Sequence, residues 1–236
     1  MDELSDSYQV IAIDLPGYGQ SDKRIEDSYS FRYYDRILTG FAKGLNLNKF
    51  TLGVHDAGGP IGLYWMVQDM EKVERLILFN TLVYPKFSWA VKLFALATVT
   101  PIIKDWLTSP NGIRKAIYLG VHNKEKLTDH IIENYQSPFT DQTSRKVLLK
   151  SVQRLSIKGL IEIQEKLHQY KGPVQVIYGE KDKILPAVAQ TMNKVKSNLP
   201  QTKIEALANC GHFLQEDAPQ EIGKLIRGFM RSTAST

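Results

Sequence analysis

Short, continuously apolar segments alternate with amphipathic stretches along this 236-residue chain. Apolar runs of four to eight residues are typical of strands buried on both faces, whereas apolar residues at three-to-four spacing indicate helices. Their alternation predicts an α/β fold, a mostly parallel sheet flanked by helices on both sides. The predicted strands are residues 9–14, 50–54, 75–79, 174–178 and 202–207, and helices are predicted at residues 31–41, 58–68 and 222–229.

The interval between the third and fourth predicted strands departs from this alternation. Residues 83–171 contain no convincing strand, only helical patterning such as Leu148, Val152 and Leu155. An inserted helical subdomain is the simplest interpretation. We therefore predict an α/β core formed by residues 1–82 and 172–236, and a helical cap formed by residues 83–171.

Composition and charge exclude several classes of protein. The chain has 30 Lys and Arg against 25 Asp and Glu, a net charge of +5 without a basic run, so no nucleic-acid partner is predicted. Its one cysteine, Cys210, cannot form an internal disulfide, and Asp2 and Glu3 are unfavourable in a secretory leader. The longest apolar stretch, near residues 94–103, is about half of what a bilayer-spanning helix needs. These features favour a cytoplasmic protein without a membrane span, and leave its oligomeric state open.

An acidic residue lies where the second predicted strand turns into a helix. Asp56 follows the strand at residues 50–54, and the next residues, Ala57, Gly58 and Gly59, are small enough for a sharp turn. Such a turn exposes its side chain at the carboxyl edge of the sheet, and the following helix N-terminus stabilises negative charge there. Asp56 is therefore either a nucleophile or an ordinary helix N-cap, and the turn alone leaves both open.

Two further residues follow the ends of later strands. Asp182 comes after the fourth predicted strand and His212 after the fifth. Each could be an ordinary loop residue, but nucleophile, acid and histidine in this order is the order of the α/β-hydrolase triad. In that arrangement His212 activates a water molecule and Asp182 holds its tautomer. Asn80, which follows the third strand, is an amide and cannot serve as the acid.

Three segments carry these residues: DLPGYGQSD at 14–22, HDAGGPIGL at 55–63 and GHFLQEDAP at 211–219. They resemble the α/β-hydrolase superfamily, and within it the haloalkane dehalogenase and epoxide hydrolase branch. That branch uses aspartate where esterases and lipases use serine, and its cap domain matches the helical insertion. A serine esterase is disfavoured because the chain contains no Gly-x-Ser-x-Gly.

The resemblance implies a mechanism and a substrate class. Asp56 would attack a small apolar alkyl halide or epoxide and form an ester, and water activated by His212 would hydrolyse it. Asp182 would hold His212, and the backbone N–H of Ala57 would be one oxyanion donor. No metal or organic cofactor is required, and no Cys/His spacing suggests a metal site.

One departure from the branch concerns the substrate pocket. Dehalogenases and epoxide hydrolases generally carry tryptophan after the nucleophile, where its indole N–H helps the former to hold the halide, but this chain has Ala57. Other aromatic residues could replace that donor or activate an epoxide, although each could equally be an ordinary packing residue. The pocket candidates are Trp89, Trp106, Tyr118, Tyr135 and Phe213.

A second departure concerns the N-terminus. The resemblance implies three strands and a His-Gly oxyanion loop before the segment at 14–22, and only about a dozen residues precede it. We therefore expect a truncated chain that lacks the N-terminal strands, with unpaired backbone groups on the strands at Val10 and Leu52. Loss of one oxyanion donor typically costs about 100- to 1,000-fold in rate. The alternative function is a catalytically impaired or silent α/β-hydrolase-like protein with a binding role only.

Overall fold

A four-stranded parallel sheet lies at the centre of the fold. The structure is a computed structural model that describes residues 2–233, with side chains from residue 3 onward. Its strands are Phe50–Asp56 (β1), Val73–Thr81 (β2), Val174–Gly179 (β3) and Thr202–Leu207 (β4). They pair in the order β1-β2-β3-β4, each parallel to its neighbour. The predicted α/β class and four of the five predicted strands are therefore confirmed.

Helices connect and cover these strands. In the described part of the chain they are Asp2–Ser5 (α1), Phe31–Gly44 (α2), Gly58–Met66 (α3), Trp89–Val99 (α4), Ile103–Leu107 (α5), Pro110–Gly120 (α6), Asp129–Gln136 (α7), Gln142–Gln153 (α8), Ile157–Lys166 (α9), Val188–Asn198 (α10), Leu214–Asp217 (α11) and Pro219–Ser232 (α12). Four 3₁₀ turns accompany them, at Met70–Lys72, Lys124–Lys126, Ser137–Phe139 and Leu167–Gln169. Between β2 and β3 every described regular element is helical, and the exact division into core and cap stays a prediction. No helix within residues 2–233 has the length and apolar character needed to cross a bilayer.

Both faces of the sheet are covered, which explains why its strands are continuously apolar. All six residues of β3 are buried. Val176 packs in the cluster that contains residues of α3 and α10, whereas Ile177 packs on the opposite side against Ile222 of α12. Burying a large apolar side chain contributes about 1.5–3 kcal/mol to the stability of the fold. A strand that is covered on both faces therefore gains stability from apolar residues at successive positions.

The prediction of a strand at residues 9–14 is wrong. These residues form no strand in the structure, and Ile11 and Ile13 are 39% and 38% exposed. β1 is the edge of the described sheet, and a strand forms only where its backbone N–H and C=O groups find a partner. The apolar composition of residues 9–14 was therefore not sufficient to predict a strand.

A tight turn with two glycines in the left-handed region follows this segment. Gly17 and Gly19 adopt φ of +91° and +47°, which glycine tolerates without steric cost. The Ser21 hydroxyl donates to the Asp14 carbonyl at 2.6 Å, and the Gln20 N–H donates to Oδ2 of Asp14 at 2.8 Å. The hydroxyl of Ser21 thus stabilises the turn.

Candidate active site

The turn after β1 holds Asp56 in a conformation that few side chains adopt. Asp56 has φ of +45°, and α3 begins two residues later, at Gly58. The Thr81 hydroxyl of β2 donates to the Asp56 carbonyl at 2.7 Å. A Cβ at Gly59 would lie 1.6 Å from that hydroxyl oxygen, so only glycine fits there. The close packing of the turn against β2 explains the small residues in the sequence.

The three predicted catalytic residues meet at the carboxyl edge of the sheet. Nδ1 of His212 lies 2.8 Å from Oδ2 of Asp182, and both side chains are fully buried. Nε2 of His212 lies 3.3 Å from Oδ1 of Asp56, whose side chain is half exposed. Among the described residues, Nε2 has no polar partner besides Asp56. An imidazole with one nitrogen anchored and the other facing a carboxylate can exchange protons at that carboxylate.

Asp182 is anchored from three directions. Its Oδ1 accepts hydrogen bonds from the backbone N–H groups of Ile184 and Leu185 at 2.8 and 2.7 Å. Its Oδ2 accepts from Nδ2 of Asn80 at 2.7 Å as well as from His212. Asn80 in turn accepts from the backbone N–H of Gly179 at 2.9 Å. Asn80 therefore acts as a positioning residue for the acid, a role that the sequence analysis missed although it considered this residue.

His55 is a second residue that the sequence analysis missed. Its Nε2 lies 2.9 Å from the backbone oxygen of His212, to which it must be the donor, and the two rings lie 5.0 Å apart. Burial lowers the pKa of His55, which favours the neutral ring. His55 therefore holds the loop that carries His212. The position of His55 directly before Asp56 in the sequence was the feature that could have indicated a role in the site.

The electrostatics of the site favour an ion pair in the resting state. Burial acts to lower the pKa of His212, but the hydrogen bond to Asp182 and the charge of Asp56 outweigh it and raise the pKa to about 9. Burial acts to raise the pKa of Asp56, and the neighbouring His212 imidazole outweighs it and lowers that pKa. Asp56 is thus an anionic carboxylate at neutral pH, and His212 is cationic beside it.

This coupling predicts a shift that can be measured without substrate. In the Asp56→Asn variant we expect the pKa of His212 to fall, because one of the two negative charges that raise it is gone. NMR titration of the His212 ring protons measures it. The matched control is Asp129→Asn. Asp129 lies on α7, and its side chain is 95% exposed. An unchanged His212 pKa in Asp56→Asn would contradict the coupling.

The five pocket candidates occupy different environments. The Phe213 ring contacts the rings of His55, His212 and Tyr135 at centroid distances of 6.0, 5.0 and 5.6 Å. The Tyr135 hydroxyl donates to Oε1 of Glu216 at 2.8 Å, so it does not point to Asp56. The Tyr118 ring lies under Arg114. A role of these residues in substrate binding stays a prediction.

The two tryptophan candidates are largely exposed to solvent. Trp89 is 72% exposed and Trp106 is 49% exposed. Neither indole N–H forms a hydrogen bond with any residue in the described part of the chain. The structure thus gives neither of them a packed position beside Asp56, and their role as halide donors also stays a prediction.

Tyr18 is a further polar group, which the sequence analysis did not propose. Its hydroxyl lies 2.8 Å from that of Ser151 on α8. Burial raises the pKa of Tyr18 to about 12, and the charge of Asp56 contributes to the increase. The two hydroxyl groups join the loop after residue 14 to α8.

Other features of the same edge do not belong to the site. A groove of about 1130 Å³ beside the His212 loop is lined by residues such as Lys124, Cys210 and Glu221, and includes neither Asp56 nor His212. Cys210 is 3% exposed, and burial raises its pKa to about 11. A buried, protonated thiol is a poor nucleophile, which agrees with the assignment of Asp56.

The fold and this site define a class of protein. The sequence profile described as the alpha/beta hydrolase fold matches residues 1–106. A haloalkane dehalogenase structure from Bradyrhizobium elkani (DbeA) superposes with a TM-score of 0.78 at 20% identity, over 93% of this chain and 79% of that one. The chain therefore has the α/β-hydrolase fold, as its resemblance implied.

Characterised and uncharacterised relatives match nearly the whole chain. An uncharacterized hydrolase of Bacillus subtilis, YugF, is 29% identical over 97% of this chain and 82% of its own length. A cis-3-alkyl-4-alkyloxetan-2-one decarboxylase of Shewanella oneidensis is 28% identical over 98% of this chain and 76% of its own. Epoxide hydrolase 3 of Xenopus tropicalis is 26% identical over 98% of this chain and 66% of its own.

Proposed function

We propose that this chain is a hydrolase that opens a small apolar electrophile through a covalent ester on Asp56. The observation that carries the proposal is the position of the buried Nε2 of His212, which faces the Asp56 carboxylate at 3.3 Å. Here it lies where a water molecule would be activated against an ester of Asp56.

In the first step a carboxylate oxygen of Asp56 attacks the electrophilic carbon of the substrate. A carbon–oxygen bond forms as the bond to the halide or to the epoxide oxygen breaks, and the leaving atom takes the electron pair. The lowered pKa of Asp56 keeps it anionic and ready to attack. This step needs no base, because the nucleophile has no proton to lose.

Formation of the ester changes the role of His212. The ester carries no charge, so one of the two interactions that raise the pKa of His212 is lost and its proton is released to solvent more readily. Neutral Nε2 can then take a proton from water as that water attacks the carboxyl carbon of Asp56. The backbone N–H of Ala57, at the start of α3, would stabilise the oxyanion. Collapse breaks the bond between the carboxyl carbon and the substrate oxygen, which takes the proton from His212 and leaves as the alcohol, and the carboxylate of Asp56 is restored.

A strained oxygen ring is the substrate class that the site favours over an alkyl halide. Ala57 provides no side-chain donor for a departing halide, whereas the hydroxyl of Tyr18, whose pKa is raised in part by the charge of Asp56, would be a donor to a ring oxygen. The names of two relatives point the same way: one is an epoxide hydrolase and the other acts on an oxetan-2-one. We therefore propose epoxides as substrates, with alkyl halides as the second class.

A single-turnover experiment in oxygen-18 water tests the covalent route. With enzyme in excess over an epoxide, the heavy oxygen is expected in the carboxylate of Asp56 and not in the first product, because water attacks the ester carbonyl. Peptide mass spectrometry locates the label. Label in the product alone would mean direct attack by water, and no turnover of epoxides, halides or esters would favour the binding protein instead.

A further inference from the structure

Exposed apolar side chains are concentrated on α4, α5 and the turn between them. We call this group the apolar cap face. Its members are Trp89, Leu93, Phe94, Leu96, Val99, Ile102, Ile103 and Trp106. Ile102 is 82% exposed and has φ of +66°, which is unusual for a β-branched residue. Concentrated apolar surface of this kind marks an interaction site on a soluble domain.

The composition of α4 is that of a helix with apolar partners on all sides. Of its eleven residues only Lys92 and Thr98 are polar. Thr98 is the residue that α4 buries, and its carbonyl accepts a hydrogen bond from Gln153 of α8 at 2.7 Å. A helix that is apolar all round is normally enclosed. Most of α4 is instead exposed, so a partner outside the described residues would complete it.

The charges around the apolar cap face are mostly positive. Residues 86–107 include three lysines, Lys86, Lys92 and Lys104, and one acid, Asp105. None of the three lysines forms an ion pair in the part of the chain that the structure describes. The whole chain also carries a net charge of +5. An anionic surface would therefore be attracted to the same side of the cap that needs apolar contacts.

These observations favour a lipid surface over a second copy of the chain. A two-fold contact through this face would bring the same lysines of both copies together, whereas anionic headgroups would attract them. Trp89 and Trp106 stand at the two ends of the face, and tryptophan prefers the boundary between headgroups and acyl chains. α4 is about 16 Å long, too short to span a bilayer but suited to lie in its surface.

We propose that the apolar cap face docks this protein on membranes that contain anionic phospholipid. α4 and α5 would lie in the plane of the interface, with Leu93, Leu96 and Ile102 among the acyl chains. Lys86 and Lys92 would contact the headgroups. The proposal concerns where the protein binds and does not depend on the reaction at Asp56.

Vesicle flotation with the purified full chain tests this proposal. We expect it to float with phosphatidylcholine vesicles that contain about one-third phosphatidylglycerol, and far less with pure phosphatidylcholine. The Leu93→Glu/Leu96→Glu variant should lose binding at least tenfold, since both positions are exposed and the substitutions need not disturb the fold. Replacing Lys92 by Gln should weaken binding about fivefold.

The matched control is Ile157→Glu on α9, which is 55% exposed and outside the face; it should float like the wild type. Circular dichroism verifies that each variant is folded. Wild type that stays unbound on anionic vesicles would overturn the proposal, as would equal flotation of Leu93→Glu/Leu96→Glu. A dimer in light scattering that this double variant dissociates, without vesicle binding, would also overturn it and assign the face to a second copy.

Discussion

The His212→Gln variant is expected to accumulate a covalent ester on Asp56. Attack by Asp56 needs no base, whereas hydrolysis of the ester requires a proton acceptor, and Nε2 of His212 lies 3.3 Å from Oδ1 of Asp56. Removing a general base slows its step by about 10²- to 10⁴-fold, so the ester should outlive the experiment. Intact-protein mass spectrometry after mixing with an epoxide should show the substrate mass added once, and peptide mapping should locate it at Asp56.

Glutamine is chosen to replace His212 because the imidazole is hydrogen-bonded to the buried carboxylate of Asp182. Asp182 loses the hydrogen bond from Nδ1 when the imidazole is removed, and an unpaired buried carboxylate is costly. The glutamine amide can donate to Asp182 and limit that cost. His168→Gln, at an exposed position, is the matched control and should turn over like the wild type. A folded His212→Gln that hydrolyses substrate at the wild-type rate would refute the role assigned to His212.

The Asp56→Asn variant is expected to have the largest loss of activity. Asparagine has nearly the size of aspartate and tolerates the left-handed conformation, φ +45°, that Asp56 adopts, so the turn should be preserved. It lacks the anionic oxygen that attacks carbon. Removal of the nucleophile from a catalytic triad reduces kcat by about 10⁶-fold, and a loss of at least about 10⁴-fold is expected here. Steady-state assays on the substrate of the wild type measure it.

Two control measurements distinguish a loss of catalysis from a loss of folding in Asp56→Asn. The melting temperature of Asp56→Asn should stay close to that of the wild type, and the Asp129→Asn variant should keep full activity. The Asp56→Asn/His212→Gln double variant should acquire no substrate mass, because the residue that carries the ester is absent. Activity of Asp56→Asn within tenfold of the wild type would place the nucleophile elsewhere.

The centre of the sheet was predictable because β2 and β3 are largely buried and rich in apolar residues. The segments predicted at residues 50–54, 75–79, 174–178 and 202–207 end within two residues of the observed strand ends. Residues 9–14 have the same composition but form no strand, since pairing depends on a neighbour and not on the segment itself. Local apolar patterning therefore predicts that a segment can be a strand, and the sheet decides whether it is one.

The residues that support the triad were not predictable in the same way. Asn80 and Asp182 are 102 positions apart, and His55 reaches the backbone of His212 across 157 positions. Hydrogen bonds of this kind depend on how closely two strand ends approach, which spacing along the chain does not encode. The hydroxyl of Tyr18 beside Ser151 is a similar contact, made between a loop and a cap helix.

The sequence by itself determined the α/β class, the helical character of the interval before Val174, and the order of Asp56, Asp182 and His212. It could do so because buried strands need apolar runs, and because side chains after parallel strands meet at one edge of the sheet. Only the tertiary structure decided which groups anchor the acid, that Nε2 of His212 faces Asp56 without another partner, and that α4 exposes its apolar side chains. Those properties depend on distances and burial between distant segments, which packing of the whole chain sets.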